Sequence, residues 1–301
     1  MSSNGHPFTR STIDPDTAAA PQLLRLGDLL SAWQSEAEAL HEAKTTGAQL
    51  GPITGFAKLD RELGYCLAPG LHVVHGQPGV GKSAFVLQLA SGCGCPALFV
   101  TCEMSPLELF RRIAARVTQT FLGRFKTGEL TPEASLAMAR RAAAAVPELA
   151  IADGTQAFAS PEWLRAAARA VRGSRQHLLI VVDSVHSWTE GVALDVPEYE
   201  RLNSGLATLR KLSHELGCAI VGVAERNRAN MSTGGLSAGA GTRKLEYGAE
   251  TVLDLAQAAD VVPNSAGEVE VSVIIAKNRH GAPGRKIHLK FRGALQQFSE
   301  V

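Results

Sequence analysis

The chain has 301 residues, 45% of them apolar, and its 30 Lys and Arg against 29 Asp and Glu leave a formal net charge of +1. That length and apolar content support one large domain or two small ones, and near-neutrality requires any surface for a polyanion to be local. No apolar run approaches the roughly 18 residues of a membrane span, and Met1 to Pro7 lacks a charged n-region followed by an apolar segment, so a cytoplasmic protein without a membrane partner is expected. Residues 1–21, rich in Ser, Thr, Pro, Asp and Ala, carry no hydrophobic period and read as a disordered arm. Over 22–46, Leu23, Leu26, Leu30, Trp33, Ala37 and Leu40 recur at steps of three and four. This predicts an amphipathic helix that packs either on its own domain or on a neighbouring subunit, followed by a linker that reaches residue 50. Strands are expected at 71–75, 97–102, 149–152, 178–183, 218–224, 251–255, 269–276 and 286–291, and helices at 82–91, 106–120, 132–145, 161–172 and 198–216. Helices between the early strands predict an α/β fold over 51–301, with a mostly parallel sheet covered on both faces and antiparallel strands at its C-terminal edge.

The segment Gly76-Gln77-Pro78-Gly79-Val80-Gly81-Lys82-Ser83 fits G-x-x-x-x-G-K-[ST] at every fixed position. A β-branched strand precedes it, and a helix beginning near Ala84 follows. Strand, glycine loop and helix in that order form a phosphate cradle: backbone N–H groups close around a polyphosphate at the positive end of the helix. Lys82 is then expected to reach the β and γ phosphates of ATP, and Ser83 to ligate Mg²⁺.

Two further strand ends carry carboxylates. The apolar run Leu178 to Val182 stops at Asp183, placed to hold Mg²⁺ opposite Ser83. The run Leu98 to Cys102 stops at Glu103, where a carboxylate can orient and deprotonate water attacking the γ-phosphate. Lys277 and Arg279 lie two apart at a late strand end, so both side chains project to one side, and two cations delivered by a neighbour would neutralise transition-state charge. The five cysteines, Cys66, Cys93, Cys95, Cys102 and Cys218, are odd in number and lie mostly in or beside apolar strands, which suits reduced thiols. Cys93-Gly94-Cys95 stands alone as a close-spaced pair, readable as half of a metal or redox site or as two core residues.

Taken together, Thr54-Gly55-Phe56 with Leu59-Asp60, the glycine loop, Thr101 to Met104, the Asp183 strand, Ala224 to Arg228 and Ile275 to Gly281 resemble the RecA-type ATPase domain of bacterial replicative, DnaB-type helicases over residues 51–301. The resemblance implies a RecA-like P-loop NTPase fold. It also implies a homo-oligomeric ring, usually a hexamer, with ATP between adjacent subunits and single-stranded DNA through the centre. By the same resemblance Glu103 activates water, Lys277 and Arg279 reach the next subunit's γ-phosphate, and the helix over 22–46 docks on a neighbour. The large domain that precedes this helix in the replicative enzymes is expected to be missing, which leaves contacts to a replication or loader protein open.

Three departures bear on mechanism. Glu225 stands where the family carries a Gln that senses the γ-phosphate, and a carboxylate there is repelled unless protonated or paired. Ser184 to Pro197 corresponds to one pore loop yet holds Glu190 and Asp195 and no Lys or Arg, leaving Trp188 either to stack on a base or to fill the core. Arg226 to Gly248 corresponds to the other, and its Arg226, Arg228, Arg243 and Lys244 form a candidate single-strand contact, although Arg243 stands near a position where the family has a small residue. The leading expectation is an ATP-hydrolysing DNA helicase or translocase. The rivals are an oligomeric ATPase switch acting on a protein partner and, less consistent with Glu103 and the basic strand end, a kinase.

Overall fold

The computed structural model describes residues 23–191, 196–225, 248–258 and 262–301. The chain divides into two units, 1–48 and 49–301. In the first, a 3-10 turn over Leu26–Leu29 leads into helix α1 (Leu30–Thr46), which Gly47 ends by donating its N–H to Ala43 O at 2.8 Å. The α-helix starts later than the periodicity suggests, because Gly27 is a poor helix residue and the Asp28 carboxylate binds the Arg25 N–H at 2.9 Å, closing a tighter turn. The apolar stripe is exposed, with Leu26 at 85% and Trp33 at 75%.

The second unit is built on a nine-stranded sheet of order β3-β2-β4-β5-β1-β6-β7-β8-β9. Its strands are β1 (Gly70–Gly76), β2 (Ala97–Thr101), β3 (Leu149–Asp153), β4 (Leu179–Asp183), β5 (Ala219–Val223), β6 (Thr251–Ala256), β7 (Glu268–Asn278), β8 (Lys286–Arg292) and β9 (Gln297–Glu300). The six strands from β3 to β6 in this order run parallel, and β7, β8 and β9 continue antiparallel. Alternate residues of the parallel strands face opposite ways. Val74, Phe99, Leu179, Val181 and Val221 enter one core, whereas Leu71, Val73, Leu98, Val100, Ile180 and Ile220 enter the other.

The first core is covered by α2 (Ala57–Glu62), α3 (Lys82–Gly92), α4 (Pro106–Thr118) and α5 (Pro132–Ala145); the second by α6 (Pro161–Arg172), α7 (Val185–Glu190) and α8 (Glu198–Leu216). Ser105, Thr131 and Ser160 open α4, α5 and α6 alike: each side chain accepts an N–H from the first turn, and a proline that needs no donor follows. Asp60 accepts the Thr54 N–H at 2.6 Å and so ties the entry segment to α2. This α/β architecture, mostly parallel with an antiparallel C-terminal edge, agrees with the one expected from the sequence. Among the described residues, α2, α7, β9 and the 3-10 turns over Leu122–Phe125 and Gly293–Leu295 were not anticipated.

Candidate active site

The parallel register brings the carboxyl ends of four strands to one rim. Thr101 pairs with Asp183 across β2 and β4, and Val74 with Val223 across β1 and β5, so the residues that follow these strands share one edge of the sheet. At the end of β1, Gly76 has φ 157°, and a Cβ there would stand 2.6 Å from the Leu255 carbonyl oxygen, so the chain can turn here only without a side chain. Gly81, at φ 94°, caps α3 with its carbonyl accepting the Phe85 N–H at 2.9 Å. Gln77, Pro78 and Gly79 are exposed between them, while the Val80 and Ala84 side chains are buried at 3% and 2%. Val80 and Ala84 can therefore offer a ligand only backbone groups.

Half-buried Lys82 donates to Gly76 O at 3.0 Å and to Gln77 O at 3.1 Å, folding back over the mouth of the loop. Burial pushes its ammonium below the ordinary lysine range, and the carboxylates of Glu225, Asp183 and Glu103 oppose that shift. Three strand-end acids thus surround one cation, as strands β2, β4, β5 and β1 dictate.

Asp183 is 2% exposed. Burial raises its pKa to about 6, against a hydrogen bond from the Ser83 side chain that lowers it. Its Oδ2 is buried and accepts no hydrogen bond. An orphaned carboxylate oxygen beside a hydroxyl, at the foot of a phosphate loop, fits a hard divalent cation such as Mg²⁺. Glu103, exposed beyond β2, accepts from Ser184 Oγ at 2.5 Å and Ser187 Oγ at 3.0 Å. Beyond β5, Glu225 is exposed and its backbone N–H donates to His186 Nδ1 at 3.4 Å; burial lowers the pKa of that imidazole. Sequence reasoning missed Ser184, Ser187 and His186, since their contacts arise from α7, a helix of six residues with no readable period.

Lys277 and Arg279 stand elsewhere. β7 runs antiparallel to β6, so Lys277 pairs with Val252 and Asn278 with Thr251, whereas Gly76 pairs with Leu255. Four strand residues, roughly 13 Å, separate the Arg279 end from the start of the loop. The two cations therefore lie at the rim opposite their own glycine loop. There the Arg279 N–H donates to Glu250 O at 3.0 Å, and its guanidinium is 3.9 Å from the Glu250 carboxylate, which also meets His280 Nε2 at 3.2 Å.

Trp188 is 2% exposed, and its indole N–H donates to Ala159 O at 2.8 Å. It fills the core and offers no face to a base. The four proposed nucleic-acid contacts, Arg226, Arg228, Arg243 and Lys244, lie outside the described residues, as does Asp195. All five cysteines are free thiols. Cys93 and Cys95 bring their sulfurs to 3.8 Å, and among the described residues no group of three or more His, Cys, Asp or Glu could hold a metal ion. Nor is any described helix long and apolar enough to cross a membrane.

A family model described as DnaB-like helicase C terminal domain matches residues 51–300. The replicative DNA helicase DnaB of Pasteurella multocida is 24% identical over 274 residues, a match that covers 83% of this chain and 56% of that protein. The chain thus spans little more than half the length of that curated relative. Among solved structures, a DnaB-like replicative helicase described with its primase interactions matches with a TM-score of 0.75 at 19% identity, over 93% of this chain and 68% of that one. The RadB recombinase matches with a TM-score of 0.51 at 18% identity, over 82% and 98%. At these identities the structures speak for the fold, a RecA-like P-loop NTPase.

Proposed function

The chain belongs to the DnaB-like helicase C-terminal domain family, and we propose that it is a ring-forming ATP hydrolase that moves along single-stranded DNA. The observation that carries this reading is the division of charged groups between two rims: a phosphate loop with Asp183 and Glu103 at one, Lys277 and Arg279 at the other. A protomer alone holds half a site. A head-to-tail neighbour, whose opposite rim meets the loop, supplies the rest, and head-to-tail contacts close into rings.

In this reading the loop N–H groups and Lys82 hold the β and γ phosphates, with Lys82 exchanging its two carbonyl partners for phosphate oxygens. Ser83 and Asp183 would hold Mg²⁺, which would neutralise phosphate charge. Glu103 takes the proton of the attacking water as its oxygen bonds to the γ-phosphorus and the bond from that phosphorus to the β-phosphate oxygen breaks, with ADP and inorganic phosphate as products. Lys277 and Arg279 of the adjoining protomer offset the charge that develops on the γ-phosphoryl oxygens. Glu225 faces the same phosphate from β5 and links its state to the segment that follows, where Arg226, Arg228, Arg243 and Lys244 would grip the DNA backbone. A hexamer in the cytoplasm, with α1 docked on a neighbour and a loader or replication protein as further partner, completes the proposal.

The test is the ATP turnover rate with and without single-stranded DNA, alongside the mass of the assembly with a non-hydrolysable analogue. DNA-stimulated turnover and a ring mass are expected, with DNA affinity falling steeply between about 50 and 200 mM salt. Rings that bind no oligonucleotide at low salt would leave an ATP-driven switch and end the translocase reading.

A further inference from the structure

We propose that Ser184 and Ser187 are positioning residues for Glu103, selecting which of its two oxygens faces the attacking water. The inference rests on the reading of Glu103 as the base. Glu103 follows β2 on an irregular stretch and is exposed, so its three side-chain torsions would otherwise sample many rotamers. Both serine hydroxyls donate to the same atom, Oε1, at 2.5 and 3.0 Å. Two donors on Oε1 leave Oε2 to take a proton from water. Hydroxyls hold the carboxylate without pairing its charge, whereas a lysine or arginine in their place would occupy the base as an ion pair.

The donors are themselves fixed. Ser184 follows Asp183 directly, is 3% exposed, and accepts the Ser187 N–H at 3.4 Å as the cap of α7, with the two hydroxyl oxygens 3.2 Å apart. Buried Trp188, bonded to Ala159 O, anchors the same turn. One short element thereby sets both carboxylates: the strand end carries Asp183, and the next turn orients Glu103.

The test uses the full chain and measures kcat and KM for ATP in Ser184→Ala, Ser187→Ala, the double variant and Ser187→Thr, each also combined with Glu103→Gln. Loss of both hydroxyls is expected to lower kcat about 10- to 100-fold, as a misplaced reacting group does, with KM changed less than about twofold. Ser187→Thr, which keeps a hydroxyl, should retain most activity. On the Glu103→Gln background the serine changes should cost nothing more, because the group they orient no longer acts as a base. Serine variants that turn over at the wild-type rate beside an inactive Glu103→Gln overturn the positioning role alone, as does an equal further loss on the Gln background. Normal turnover by Glu103→Gln removes the base and this inference with it. Should Ser184→Ala fail to fold, Ser187→Ala, which spares the cap, decides by itself.

Discussion

At the residue scale, the rim concentrates charge that the fold must tolerate without a ligand. Asp183 shows the cost. A carboxyl whose pKa is raised to about 6 binds its proton more readily in the fold than in the unfolded chain. Its contribution to stability is therefore present below about pH 4 and is lost as pH rises through about 6. Asp183→Asn removes the buried charge, so without nucleotide or Mg²⁺ at pH 8 it should stabilise the protein by about 2 kcal/mol, read by calorimetry, while Mg²⁺-dependent nucleotide binding falls. An Asn variant that melts earlier than the parent would contradict the burial argument. Lys82→Ala should abolish nucleotide binding in a fluorescent-analogue titration, whereas Glu103→Gln should bind normally and lose at least about 100-fold in turnover. If Glu225 faces the γ-phosphate as proposed, it adds a negative group there, so Glu225→Gln should raise DNA-stimulated turnover; an unchanged rate would mean that this carboxylate points away from the phosphate.

At the element scale, the helix behind the glycine loop is braced from the chain's far end. Phe85 of α3 stacks on Phe56 at 5.3 Å and meets Phe298 of β9 edge-on at 5.6 Å, and Phe298 stacks on Phe291 at 4.3 Å. Gln88 of α3 bonds the Phe298 backbone twice, at 2.9 and 2.8 Å. A Cβ on Gly81 would come 3.1 Å from the Phe298 ring, so the last strand also bounds the loop. Phe298→Ala should cost about 3–5 kcal/mol, as emptying a buried aromatic site does. It should also weaken nucleotide binding, both measurable on one sample; a loss below about 1 kcal/mol would show that β9 is no brace. None of this was legible beforehand. β9 is four residues with Phe298 as its one buried apolar side chain, and α2 and α7 are too short for a period. The parallel strands were legible because short runs rich in apolar residues end abruptly, Leu178 to Val182 at Asp183 and Leu71 to His75 at the loop, and the helices expected from 106, 132 and 161 begin there. Glycine spacing and strand-end acids marked Lys82, Ser83, Asp183 and Glu103. The serine contacts to Glu103 span more than 80 positions in the chain and exist only once β2 and β4 lie side by side.

At the scale of the whole molecule, the direction of β7 decides how copies can cooperate. If each site is shared, Lys82→Ala protomers keep Lys277 and Arg279 at the far rim, Arg279→Ala protomers keep the loop, and each variant is inactive alone. Mixed in equal amounts they should regain activity at about one quarter of the interfaces, those pairing an intact loop with intact cations. A mixture as dead as its components would place both halves of the chemistry within one chain. The same direction separates two modes of pairing. A twofold pair in which each loop meets the other copy's cations completes both sites and stops at two members, whereas a head-to-tail repeat leaves one loop and one set of cations open until the circle closes. In a closed circle the sense is single, each member serving the one behind it while being served by the one ahead.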